Sequence, residues 1–293
     1  NSENQYLSLS GFIDNQIDFQ LAGDGLSLRN ILNNKPGILN MNGSVALDRK
    51  HWKDPWMHLQ GNLNTTFTDF TIYDYPFQEG ELSLNFDKNK VSINKLFAKN
   101  ADENVDIAGT LKAGIPEYLY IKTEKFDMNN FSLIQDKLPD ALKPFGGNLD
   151  MNISVQSTNQ PQPTANRHSI SDLVIKGSVN GQNLLIQNQP INKIQSDISW
   201  SNNSLIFENS IFAHQESKLI FSGEVSKEKN KITINKPSVI NLKDFQNILS
   251  VYGSFSGIAH LDGQLFKDKN DYQFDFNLDV DNFKGNFLSL DKI

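Results

Sequence analysis

A mostly β fold is predicted: an elongated, twisted antiparallel sheet curled into a U-shaped β-groove, built from repeats and carrying a few short helices. Three observations predict it. Apolar and polar residues alternate with period two along most of the chain, which gives each strand one apolar and one polar face. Turn formers separate the alternating runs, as DKNK at 87–90, SNNS at 201–204, KEKNK at 227–231 and KDKND at 267–271. The phrase apolar-x-apolar-x-Gly-x-apolar occurs three times, as LSLSGFI at 7–13, VDIAGTL at 105–111 and LIFSGEV at 219–225.

Taken in order, LSLSGFI opens the pattern and LSLRNILNN (26–34) shows the i, i+3, i+4 spacing of a short helix. PGILNMNG (36–43) returns to alternation, and KHWKDPWM (50–57) reads as an aromatic clasp at a hairpin tip. ELSLNF (81–86) puts Leu82, Leu84 and Phe86 on one face, followed by Val91 and Ile93, then Val105, Ile107 and Leu111. MNNFSLIQDKLPDALKPF (128–145) is helical in pattern; NLDMNISV (148–155) then places Leu149, Met151, Ile153 and Val155 together. QSTNQPQPTANRHS (156–169) is a polar, Pro-bearing loop. Ile198 and Trp200 share a face, as do Leu219, Phe221 and Val225. After the helical NLKDFQNILSVYG (241–253), the run DYQFDFNLDVDNF (271–283) aligns Phe274, Phe276 and Leu278 with Tyr272 and Val280. About 20 strands are expected from these runs.

Larger units repeat. PFQEGELSLNF begins at 76 and PINKIQSDISW at 190, an offset of 114; VDIAGTL and LIFSGEV are 114 apart, LSLSGFI and VDIAGTL 98 apart. KLFAKN (95–100) answers SIFAHQ (210–215). Residues 1–293 therefore read as one repeat-built β-groove, with approximate repeats 1–104, 105–218 and an incomplete 219–293, excerpted from a longer protein. A glycine at a fixed place in each repeat suits a bulge or bend that curls the sheet.

Composition narrows the function. The net charge of −7 disfavours nucleic acid, whose phosphates need a basic surface. With no Cys, disulfides and thiolate metal sites are excluded. No 18-residue apolar run is present, so no helix spans a bilayer. His51, His58, His168, His214 and His260 are scattered without a ligand motif. YGSFSG (252–257) has Phe255 where a nucleophile elbow needs Ser. Asp279 and Asp281 begin like a calcium loop, but Phe283 and Lys284 break it, leaving alternating acids on a polar strand face. No enzyme activity, metal or cofactor is expected.

The succession from Pro76 to Leu111, repeated from Pro190 to Val225, and the segment LPDALKPFGGNLDMNISV (138–155) resemble the AsmA-like proteins, especially the TamB-like relatives. The resemblance implies a bridge-like lipid carrier of the double-membrane bacterial envelope, anchored in the inner membrane and crossing the periplasm. It implies phospholipid or another acyl-chain lipid as the partner, held along the β-groove, membrane contact through parts outside these residues, and outer-membrane proteins as further partners.

The residues keep three classes open. In the first, Leu82, Leu84, Phe86, Val91, Ile93, Val105, Ile107, Leu111, Leu149, Met151, Ile153, Ile198, Trp200, Leu219, Phe221, Val225, Phe274, Phe276 and Leu278 line a lipid groove, because the few short helices cannot cover so many strands. In the second, the protein is a scaffold for assembling outer-membrane β-barrels through exposed strand edges. In the third, it is an extracellular glycan-binding β-solenoid. The Ser-, Asn-, Asp- and Lys-rich opposite face weighs against the third.

Overall fold

A computed structural model describes residues 5–31, 36–51, 58–72, 75–130, 145–158, 172–186, 189–227, 229–246, 253–268 and 271–287. The centre of the KHWKDPWM turn, most of the 156–169 loop and most of the 128–145 helical pattern lie outside these residues.

Alternation does produce strands. Those of the first half are β1 (Tyr6–Ile13), β2 (Gln16–Ser27), β3 (Ile38–Asp48), β4 (Leu59–Ile72), β5 (Tyr75–Asp87), β6 (Lys90–Asn100), β7 (Glu103–Lys112), β8 (Ile115–Asp127) and β9 (Phe145–Ser157). Then follow β10 (Leu173–Ile186), β11 (Gln189–Ser201), β12 (Ser204–His214), β13 (Ser217–Ser226), β14 (Lys229–Asn241), β15 (Gly253–Asp268) and β16 (Asp271–Phe287). They form one 16-stranded antiparallel sheet in sequence order, with β1 and β16 at its two ends, so it is not closed into a barrel.

Sixteen strands replace the expected 20 among the described residues, because register shifts let single strands run on where alternation breaks. In β6 the shift falls between Ile93 and Leu96, and in β12 between Phe207 and Ser210. Of the expected helices, only short pieces fall among the described residues. α1 covers Leu28–Ile31, and 3-10 turns cover Met128–Asn130 and Leu242–Phe245. Each begins at the end of a strand, where local spacing alone could not say how far the strand reached.

Contacts group the chain into two units, Asn1–Leu138 with Leu149–Ile175, and Pro139–Asn148 with Lys176–Ile293. In the first, burial concentrates at one end of the strands. Leu28, Phe70, Tyr75, Phe77, Phe126 and Met128 are buried there, and Tyr75 stacks on Phe126 at 4.8 Å and meets Phe77 at 5.1 Å. The Tyr75 hydroxyl donates to Glu103. Burial first, then Glu103, pushes the phenol's pKa up; the neutral form's contribution is present at neutral pH and is lost as pH climbs past about 10.

The second unit is knit at the corresponding place by polar groups. Ser217 Oγ donates to Asp244 Oδ2 at 2.6 Å, Glu216 N donates to the same oxygen at 3.0 Å, and His214 packs on Phe245.

Hairpin tips follow turn chemistry. Asn202 and Asn203 have φ of 50° and 60°, as do Ala113 and Gly114 at 50° and 79°, the paired positive values of a type I′ turn. The 114-residue spacing recurs in backbone detail. β5, β6, β7 and β8 have the lengths of β11, β12, β13 and β14. Asp69, Lys88 and Ala101 have positive φ, and so do Asn183, Asn202 and Gln215. Ala101 N donates to Gln78 Oε1 at 3.1 Å; Gln215 N donates to Asn192 Oδ1 at 2.8 Å.

The three recurring glycines share one physical reason. A Cβ added to Gly11, Gly109 or Gly223 would lie 1.9, 2.3 or 2.4 Å from the carbonyl oxygen of Asp18, Tyr118 or Lys231. Each oxygen belongs to the residue preceding the glycine's partner on the next strand, Phe19, Leu119 or Ile232. Gly109 also sits at φ +148°. Gly109→Ala is expected to lower stability in urea denaturation by ~1–3 kcal/mol. Gly114→Ala meets nothing within 4 Å and keeps only the backbone strain of its φ of +79°, so it should cost less; equal losses would refute the close-approach account.

Candidate functional site

Strand register assigns side chains to faces. In the first unit Leu84 pairs with Leu63 and Ile93, Phe86 with Val91, and Val91 with Leu111. Leu96 pairs with Leu82 and Ile107, and Val105 with Ala98. Directly paired residues point to the same side, so Leu82, Leu84, Phe86, Val91, Ile93, Val105, Ile107 and Leu111 share one face. Leu149, Met151 and Ile153 alternate with exposed or polar neighbours on β9, where Thr123 Oγ1 donates to Leu149 O and accepts from Met151 N.

The second unit repeats this arrangement on its own strands. Ile198 pairs with Phe207, and Phe207 with Gly223; Trp200 pairs with Leu205, and Leu205 with Val225. Leu219 faces Phe212 and Phe221 faces Ser210. Phe274, Phe276 and Leu278 pair with Leu265, Gly263 and Leu261.

Alternation underreported the face. Phe19, Leu21, Met41, Val45 and Leu63 join it in the first unit through the pairs Phe19–Val45, Leu21–Gly43 and Gly43–Leu63. Their alternation in QIDFQL and ILNMNGSVAL was a usable signal. Ile232 and Ile234 join it in the second. Two polar features were not foreseeable. Ser196 and Ser210 hydrogen-bond at 2.7 Å within the face, and Thr65 Oγ1 and Trp200 Nε1 are buried with no hydrogen-bond partner among the described residues.

Most of these apolar side chains are half-buried rather than sealed, and the edge strands expose theirs fully, with Phe274 72% and Leu9 62% accessible. The opposite face is polar and tied across strands. Asn62 donates to Ser44, Ser83 to Asn64, and Lys95 pairs with Glu81 at 2.6 Å. In the first unit an apolar cleft of about 260 Å³, lined by Leu28, Phe67, Phe70, Leu82, Leu96 and Ala98 among others, opens beside the packed end.

Asp279 and Asp281 lie within the continuous β16, and Asp281 approaches His260 Nε2 at 3.3 Å. No group of three His, Asp or Glu side chains is poised to hold a metal among the described residues. No described helix is long and apolar enough to cross a membrane.

Fold and face together define an open, meandering antiparallel sheet with one apolar and one polar side. No family model, curated protein or solved structure matches the chain.

Proposed function

We propose that the chain is a β-groove of the AsmA-like, TamB-like kind, whose apolar face holds phospholipid acyl chains and conducts them between the inner and outer membranes. In this reading it works in the periplasm of a double-membrane bacterium, and its longer form is anchored in the inner membrane.

One observation carries the reading. In each unit, register aligns apolar side chains from strand after strand on one face and leaves them half-buried, while the other face is polar. Exposed apolar surface of that extent is unusual without a ligand or partner. A methylene laid against it contributes about 0.8 kcal/mol without any directional bond. Similar affinity from strand to strand lets a chain slide instead of lodging. The glycines at close strand approaches support bending toward the apolar side, and the matching strand lengths and positive-φ sites support the 114-residue repeat.

Organic extracts of the purified protein, analysed by mass spectrometry, should contain phospholipid in amounts absent from a mock purification. A lipid-free protein that also fails to take up dilute fluorescent phospholipid would reject the carrier. A scaffold that pairs with strands of outer-membrane proteins is a second reading, which the long antiparallel ladders of β15 and β16 would suit. In that case unfolded β-barrel segments, and not lipids, would crosslink to β16.

A further inference from the structure

The apolar cleft beside the packed end of the first unit owes its space to two small residues on neighbouring strands. Ala98 of β6 lines it, and Ala98 pairs directly with Gly80 of β5. The Phe70 ring lies over Gly80, since a Cβ there would come within 2.7 Å of Phe70 Cζ. The Phe67 ring stands 5.3 Å from Phe70, and Leu28 of α1 adds a further wall.

One repeat later the same register positions carry different side chains. At the 114-residue offset Gly80 and Ala98 correspond to Ile194 and Phe212, which also pair directly. Leu82 and Leu96 correspond to Ser196 and Ser210, joined by a hydrogen bond of 2.7 Å. Phe67 and Phe70 correspond to Gly181 and Leu184. The strand plan therefore forms without small residues at the first pair, leucines at the second or aromatic rings above them. The cleft comes from the first unit's own side chains.

We infer that this cleft seats the methyl end of one acyl chain. Its volume of about 260 Å³ falls below the roughly 300–1,000 Å³ of pockets that enclose a whole small ligand, so it takes a chain end and not a complete lipid. Of the described residues lining it only Thr71 and Glu81 are polar, and the Glu81 carboxylate turns to Lys95 on the opposite face at 2.6 Å. A headgroup placed there would lose its hydrogen bonds to water without replacement. A methyl end needs none. Leu82 and Leu96 belong to the cleft and to the apolar face alike, so a chain lying on that face enters without leaving apolar surface. The inference rests on the lipid reading and adds to it a place where a sliding chain comes to rest.

Photolabelling of the full chain with two diazirine-bearing dodecanoic acids tests it, one carrying the diazirine at the methyl end and one beside the carboxylate. Peptide mapping should find the methyl-end label on Phe67, Phe70 or Leu96, and the carboxylate-end label outside the cleft. Unlabelled dodecanoate should displace the methyl-end label at least about tenfold more effectively than hexanoate, because each buried methylene adds about fourfold in affinity. Leu82→Ser with Leu96→Ser copies the second unit's side chains and should cut labelling of the cleft about tenfold, with circular dichroism still β-rich. Leu96→Trp, which fills the cleft with an indole, should do the same. Val91→Ser with Leu111→Ser, on the same face outside the cleft, should leave the labelling unchanged. Methyl-end labels spread evenly over the apolar face, or equal losses from the two serine pairs, would overturn the seat and leave the carrier standing. No labelling anywhere would overturn both.

Discussion

Ile107→Asp combined with Phe221→Asp should abolish lipid crosslinking while leaving a β-rich protein. Ile107 pairs with Leu96 and Ile121, and Phe221 with Ser210 and Ile234, so each substitution sets a carboxylate among the side chains that would touch acyl chains. A carboxylate desolvated by a passing hydrocarbon costs several kcal/mol unless water follows it, which outweighs the gain from several methylenes at about 0.8 kcal/mol each. Both positions are only half-buried without a ligand, so the charges stay hydrated in the empty protein and the fold survives. Asn85→Asp with Ser222→Asp places the same charges on the polar face and should leave crosslinking intact. Photocrosslinking in cells, read beside circular dichroism, decides the matter. Equal damage from the two pairs, or full crosslinking in the first, would transfer the assignment to the scaffold.

Phe126→Ala should be the costliest single truncation among the aromatic residues of β8, lowering stability by ~3–5 kcal/mol in urea denaturation, the usual range for a buried phenylalanine. Phe126 is 6% accessible and stacks on Tyr75, which is itself 1% accessible. Removing the ring opens a void between β8 and β5 that strands anchored by their ladders cannot close. Phe12→Ala is the control. Phe12 is 67% accessible, and its loss should stay within about 0.5 kcal/mol. Similar losses at the two sites would mean that the packed end of the first unit does not hold it together.

Much of this was legible beforehand. In VDIAGTL the alternation placed Val105, Ile107 and Leu111 on one face because a strand's side chains point up and down in turn, whatever lies around it. At the 114-residue offset seen in the sequence, the lengths of β5 to β8 match those of β11 to β14. SNNS announced a tight turn, since asparagine tolerates the positive φ that such a turn needs.

What the sequence determined by itself was the class of element and the sidedness of each strand, both local properties of backbone and side chain. The tertiary structure decided where sidedness changes. Counting by twos from Val91 would put Lys95 and Phe97 on the apolar face; the register shift before Leu96 puts Leu96 and Ala98 there and turns Phe97 to the polar side. It also decided which ends are packed. Nothing local marks Tyr75 or Met128 as more buried than Tyr272 or Phe274, which lie on β16, the last of the described strands. Burial and register depend on which strands flank a residue, and pairing partners are properties of the assembled sheet, absent from any single run of the chain.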